Sequence, residues 1–283
     1  LEPVLTSFVL DFEGVPASNM INFSHFDMTA HGYEQDQRTM VLGLESLRIT
    51  DTSSGKRLSG PFNKKPVPIE LSGVVYTTVF SPADARKNWQ DIVSAFCYAF
   101  KDNKNVTLIL KVSDRSLTSI MGKLHMLLQQ IDQAECRVIA IHGFLAEEDF
   151  HKLIESTSFY VNASSGEGLC LPMMEFMACG VPAIAPNHTA MLDYSDEDTS
   201  FLVESSLEPA DWPHDPRHYK RTLSHRISWE SLVQQYKNSY KCAVDNVDEY
   251  NSKSMCAKKS IKAFAGKTKV TEQLKSYLKK VIV

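Results

Sequence analysis

The chain has 283 residues, 43% hydrophobic and 23% charged, enough apolar material for one large domain or two small ones. Its formal charge of -4, from 34 acidic and 30 basic residues, provides no bulk basic field for a nucleic-acid backbone, so no nucleic acid is expected as a partner. Apolar runs such as Val74-Val75-Tyr76 and Val138-Ile139-Ala140-Ile141 stop far short of the ~20 residues that a membrane-spanning helix needs.

Residues 1–70 hold turn-rich stretches (Thr52-Ser53-Ser54-Gly55, Ser59-Gly60-Pro61) and strand-like pieces at Ser7–Leu10 and Leu47–Ile49. They lack a strand-helix rhythm and read as a small β-rich segment. From Val74 onward, β-branched runs alternate with amphipathic stretches, the pattern of βαβ units feeding a parallel sheet. Strands are expected at 74–79, 106–110, 137–141, 158–161, 181–185 and 200–204. Helices are expected at 88–100, 117–131, 147–155 and 172–179, the last ended by Gly180, whose missing Cβ suits a left-handed position. Residues 205–227, with Pro209, Pro213 and Pro216, read as an irregular connection. Ser228 then caps a helix opening at Trp229, and a Lys-rich helical pattern with a solvated face runs to the terminus. The expected organisation is 1–70 as the β-rich segment, 71–246 as a Rossmann-like α/β domain and 247–283 as a helical tail.

Six cysteines and nine histidines form neither a CxxC pair nor a Cys/His set at metal-ligand spacing. This reads as a cytoplasmic protein with reduced thiols and no bound metal. The opening at Leu1, with neither an initiator methionine nor a signal-peptide pattern, reads as a piece of something longer.

In an open parallel sheet, ligands bind beyond the carboxyl ends of the strands, and three such loops carry suitable residues. In Ser81 to Asn88, Lys87 can hold a phosphate as a point charge and Arg86 can clamp it with a fork of donors, although an ordinary polar loop has the same composition. In His142-Gly143-Phe144-Leu145, Gly143 permits close backbone approach and Phe144 can flank a flat base; core packing explains the same residues. The third loop, Asn162 to Gly168, sets Ser165, Gly166, Glu167 and Gly168 ahead of a helix opening at Pro172. Free amides and the positive end of that helix suit an anion such as diphosphate. Glu167 can accept from sugar hydroxyls, and Glu175, in the expected first helical turn, can accept from a ribose diol. Equally, either glutamate can be a helix N-terminal acid that stabilises the dipole.

The string SSGEGLCLPMMEFMACGVPAIA over 164–185 resembles the E-x7-E signature of retaining GT-B-fold glycosyltransferases, close to the large family 4 group. Arg86-Lys87-Asn88, His142-Gly143-Phe144 and Ser228-Trp229-Glu230 resemble that family's phosphate loop, base-facing loop and closing-helix start, so the resemblance covers roughly 72–245. It implies a parallel sheet with helices on both faces, the C-terminal half of a GT-B fold. It also implies transfer of a hexose, with retention, from a UDP- or GDP-linked sugar to a glycan or lipid-linked acceptor in bacterial surface polysaccharide assembly. Glu167 would take the transferred sugar, Glu175 the ribose and Lys87 the diphosphate. Backbone amides of Gly168, Leu169, Cys170 and Leu171 would line the sugar and diphosphate, with no metal and no other cofactor. Phe176 stands where alanine is usual and Cys170 where glycine is usual. Ser81 occupies the place of a customary arginine, so either Arg86 substitutes or the diphosphate grip weakens. Residues 1–70 are too short for the family's N-terminal acceptor domain, which is expected as a separate partner. Membrane association, if any, is expected to be peripheral, at the inner face. The other reading is a non-catalytic nucleotide-sugar-binding or scaffolding module.

Overall fold

The structure is a computed structural model and describes residues 8–11, 38–42, 48–51, 56–57, 67–71, 73–112, 118–131, 134–142, 145–211 and 215–281. Before residue 72 it contains five short strands: β1 (Phe8–Asp11), β2 (Arg38–Leu42), β3 (Arg48–Asp51), β4 (Lys56–Arg57) and β5 (Val67–Leu71). They pair antiparallel, β1 with β3, β3 with β4, and β2 with β5, in keeping with the β-rich reading.

Strict alternation follows through β6 (Val74–Phe80), α1 (Trp89–Ala99), β7 (Val106–Val112), α2 (Thr118–Gln130), β8 (Arg137–His142), α3 (Glu147–Glu155) and β9 (Phe159–Val161). It continues with α4 (Leu171–Ala178) and β10 (Ala183–Pro186), after which a 3-10 turn at Thr189–Asp193 leads to β11 (Ser200–Val203). The six strands form one parallel sheet in the order β11-β10-β9-β6-β7-β8. Counted from β6, this is the 3-2-1-4-5-6 order of a dinucleotide-type Rossmann sheet. All seven residues of β7 and all of β9 and β10 are buried. Strands covered on both faces need apolar side chains at every position, which is why the sequence shows unbroken runs here.

Successive side chains leave a strand on opposite faces, and β9 shows what each face packs against. Phe159 stacks on Tyr76 at 5.5 Å, and Tyr76 also meets Phe96, Phe100 and Tyr236 with ring centroids 5.3–5.6 Å apart. Tyr160, its neighbour, turns to Phe176 of α4 at 4.8 Å, and Phe176 meets Phe150 of α3 at 6.0 Å. Phe176 therefore fills the space between α3, α4 and the sheet and is fully buried.

One sequence expectation is corrected here. Residues 205–227 are not irregular throughout: β12 (Ser205–Ala210) and β13 (Thr222–Ile227) form an antiparallel ribbon. Both strands of a two-stranded ribbon are edges, where a proline such as Pro209 can turn its missing donor outward. The helical pattern expected from Trp229 to the terminus is realised as three helices, α5 (Trp229–Asp245), α6 (Val247–Ala265) and α7 (Lys267–Val281). Asn246 breaks the first junction and caps α6 by accepting from the Glu249 amide, and Gly266 breaks the second. Ser228 caps α5 as expected, accepting from the Ser231 amide at 3.1 Å. The Trp229 indole donates to Ser94 Oγ at 3.0 Å and Tyr236 Oη to the Ile92 carbonyl at 3.2 Å, which seats α5 on α1.

Gly180 ends α4 at φ +90°, and a Cβ there would lie 2.9 Å from Ser254 Oγ of α6. A non-glycine residue in this region costs roughly 1–2 kcal/mol before any clash. Gly180→Ala should therefore lower the urea-unfolding midpoint by at least that free energy, whereas an unchanged midpoint would mean the α4–α6 contact relaxes freely.

Candidate functional site

Strands β6 and β9 are neighbours at the centre of the sheet, yet the chain leaves them in opposite directions, toward β7 and toward β10. Their carboxyl-end loops diverge and leave a crevice at this switch point. The loop after β6 holds a 3-10 turn at Ala85–Lys87, closed by the Lys87 amide donating to the Asp84 carbonyl at 3.0 Å. The loop after β9 runs from Asn162 to Cys170.

These loops are bound to each other. The Ser165 amide donates to the Arg86 carbonyl at 2.8 Å, and Arg86 Nη1 donates to the Gly166 carbonyl at 2.9 Å. Glu167 sits between them with its side chain 4% exposed: Oε1 accepts from Lys87 Nζ at 2.5 Å and Ser164 Oγ at 2.6 Å, and Oε2 pairs with Arg86 Nη1 at 2.7 Å. Burial works against the Glu167 charge, but hydrogen bonds from Lys87, Ser164 and Arg86 outweigh it and hold the carboxyl below its usual range. Arg86 also pairs through Nε with Asp84 at 2.9 Å. With these contacts made, the Arg86 side chain remains 40% exposed and that of Lys87 15%.

The remaining loop is open where a ligand needs room. A Cβ on Gly168 would meet nothing within 4 Å, and Gly168, Leu169 and Leu171 are exposed. Cys170, at the N-cap of α4, is buried and takes φ +55°, with Pro172 in the first helical positions. Helix α4 begins at Leu171, one residue before the expected start, so Glu175 lies in its second turn and not its first. It is four residues from Leu171 on the same exposed face. Partial burial raises the Glu175 carboxyl above its ordinary value, opposed by His151. Neither glutamate is therefore a first-turn acid of α4.

Gly143 and Phe144 lie outside the described residues, and Leu145 beside them is buried. Three residues that the sequence reading missed complete the surroundings. Thr189 follows β10, takes φ +54°, and its Oγ1 accepts from the Glu167 amide at 3.1 Å. His188 is buried, with its ring stacked on His225 of β13 at 3.9 Å, and the His225 amide donates to the Ser165 carbonyl at 3.2 Å. His188 follows a strand end and was open to the same rule that found the other loops, whereas His225 depends on the unforeseen ribbon. Asn88 (φ +49°), Cys170 and Thr189 are three of four non-glycine residues with left-handed φ among the described residues, one on each of three adjacent strand-end loops. Such conformations cost on the order of 1–3 kcal/mol each and concentrate where a site is being shaped. Among the described residues no group of three or more His, Cys, Asp or Glu side chains is placed to hold a metal ion.

A doubly wound sheet with cations and a helix start at its switch point is the layout in which α/β domains hold nucleotides. Within it, residues 74–213 match the protein-family model described as Glycosyl transferases group 1. A stretch of 110 residues is 29% identical to the O-antigen chain mannosyltransferase B of Escherichia coli, over 35% of this chain and 29% of that protein. The chain thus spans under a third of the length of that relative. Sucrose-phosphate synthase from Thermosynechococcus elongatus shares the fold at 16% identity and TM-score 0.53, over 74% of this chain and 46% of that one. Anabaena HepE, solved with UDP and glucose, does so at 15% identity and TM-score 0.53, over 73% and 48%. The α/β, Rossmann-like fold of a GT-B half is thereby established.

Burial, and then the neighbouring His225, push the His188 imidazole down to about 4. A depressed histidine is protonated in the unfolded chain first, so stability should fall as pH drops from ~6.5 toward 4, by on the order of 3 kcal/mol from this group. His188→Phe keeps a ring against His225 and should flatten that part of the pH profile in urea titrations. A variant with the native slope would contradict this assignment.

Proposed function

We propose that this chain binds the nucleotide sugar of a retaining hexosyltransferase, and that the sugar passes to a glycan or lipid-linked acceptor in surface polysaccharide assembly. The observation that carries the reading is the pinning of Arg86 and Lys87 by Glu167 across the switch-point crevice, beside the start of α4. Lys87 and Arg86 face the diphosphate, joined by the amides of Gly168, Leu169, Cys170 and Leu171. Arg86 thereby fills the role left by Ser81, whose carbonyl serves the Asp84 amide. Glu175, on the exposed face of α4, takes the ribose diol of a UDP or GDP moiety. Gly143 and Phe144 take the base. Glu167, expected from the sequence to take the transferred sugar, is 4% exposed and acts on it through the two cations it fixes.

As the anomeric C–O bond breaks, negative charge gathers on the diphosphate and positive charge on the sugar ring. Fixed cations and amides stabilise the former without reorganising at the moment of reaction. The acceptor hydroxyl is aimed from the face that the diphosphate leaves, which gives retention; this step draws on an acceptor domain, and transfer by the 283-residue chain alone should be poor. The charge stabilisation is metal-independent in this reading. The mannosyltransferase relative supports a hexose donor and a surface-polysaccharide product, and the UDP-bound neighbour supports a nucleoside diphosphate ligand.

Thermal unfolding with UDP, GDP, ADP and their sugars tests the proposal. At a concentration 100 times Kd, the correct nucleotide should stabilise the native chain by about 2.7 kcal/mol. Lys87→Ala should weaken the diphosphate by roughly 10–100-fold while sparing the nucleoside, because one charge-assisted contact is worth about 1.5–3 kcal/mol. Glu175→Ala should weaken both. Added EDTA should leave the shift unchanged. Absence of a shift with every nucleotide would overturn the proposal.

A further inference from the structure

Past α5 the chain leaves the sheet. Helix α6 buries Ala257 and Ile261, whereas α7, joined through Gly266, buries none of its residues. The turn at Gly266 is tight: a Cβ there would lie 2.3 Å from the Lys262 carbonyl oxygen. Along α7, Val270, Leu274, Tyr277, Leu278 and Val281 are 41–63% exposed. At about 100° per residue these five positions fall within an arc of roughly 100°, an apolar stripe that Lys267 enters at the first position of the helix. Lys275 borders the stripe on one side and Lys269 and Lys280 on the other, while Glu272 and Lys279 lie opposite. The helix carries five lysines, Lys267, Lys269, Lys275, Lys279 and Lys280, against the single acid Glu272.

A 15-residue helix is marginal in water by its own hydrogen bonds. Its stripe therefore needs a cover, and the charge around the stripe identifies the kind. Lysines flanking an apolar arc can reach past it on flexible stems to a plane of negative charge, the arrangement of a helix that lies in a membrane interface. No helix among the described residues is long and apolar enough to cross a bilayer. We propose that α7 docks flat on an anionic lipid surface, with Leu274 at the centre of the inserted stripe and Lys269, Lys275 and Lys280 on lipid phosphates. This placement is independent of the nucleotide reading and would hold the chain at the surface where a lipid-linked acceptor resides.

Sedimentation of the full chain with vesicles tests the proposal, using phosphatidylcholine alone or mixed with phosphatidylglycerol. The native chain should partition onto the mixed vesicles at least about tenfold more strongly, with the preference fading as salt is raised. The pair Leu274→Glu and Leu278→Glu should abolish binding while leaving the unfolding midpoint unchanged, because neither side chain is buried. Gln at 269, 275 and 280 should remove the preference for the anionic lipid. Absence of partition, equal partition onto both vesicles, or native partition by the stripe variant would overturn it. So would self-association of the native chain, by light scattering, that the stripe variant abolishes, since a second copy would then be the cover.

Discussion

The candidate site depends on one buried carboxylate holding two cations. Glu167 is nearly inaccessible, and a lone ion in that position would cost several kcal/mol or give up its charge. Its retention as an anion requires Lys87, Arg86 and Ser164 together, with the Thr189 hydroxyl fixing its backbone amide. The converse matters as much for function. Lysine and arginine side chains are flexible, and a diphosphate grip built on them loses affinity to ordering entropy unless something orders them first. Glu167 performs that ordering before any ligand arrives.

That interaction exists only because of the sheet order. Lys87 and Glu167 are 80 residues apart, on loops that touch because β6 and β9 pair side by side. The pairing is enforced from below by the aromatic cluster around Tyr76 and Phe159 and, on the other face, by Tyr160 against Phe176. Phe176 replaces the alanine usual in the motif it resembles and takes its place in the packing between α3 and α4. The strained backbones at Asn88, Cys170 and Thr189 are held by this framework.

The central α/β rhythm was legible in the sequence because strands buried on both faces must be apolar at consecutive positions. From Val74 to Val203 the expected strands and helices lie within a few residues of those observed. The loops at 81–88 and 162–170 were legible too, as strand ends with suitable chemistry. Their mutual bonding was not, since no local pattern records which strands become neighbours. The ribbon of β12 and β13 was hidden by its prolines, and with it His225. The single-residue shift at the start of α4 moved Glu175 from the first turn to the second. In the tail, helical periodicity continued through Asn246 and Gly266, and only three-dimensional packing distinguishes the embedded α6 from the exposed α7.

If Glu167 orders the cations, its loss and the loss of Lys87 must act on the same contact. Calorimetric Kd values for the preferred nucleoside diphosphate, across the native chain, Glu167→Gln, Lys87→Ala and the double variant, measure that coupling. Each single substitution should weaken binding, and the double variant should bind no worse than Lys87→Ala alone, a coupling of more than about 1 kcal/mol. Losses that simply multiply, or a Glu167→Gln chain that binds as the native does, would show that Glu167 does not organise the site.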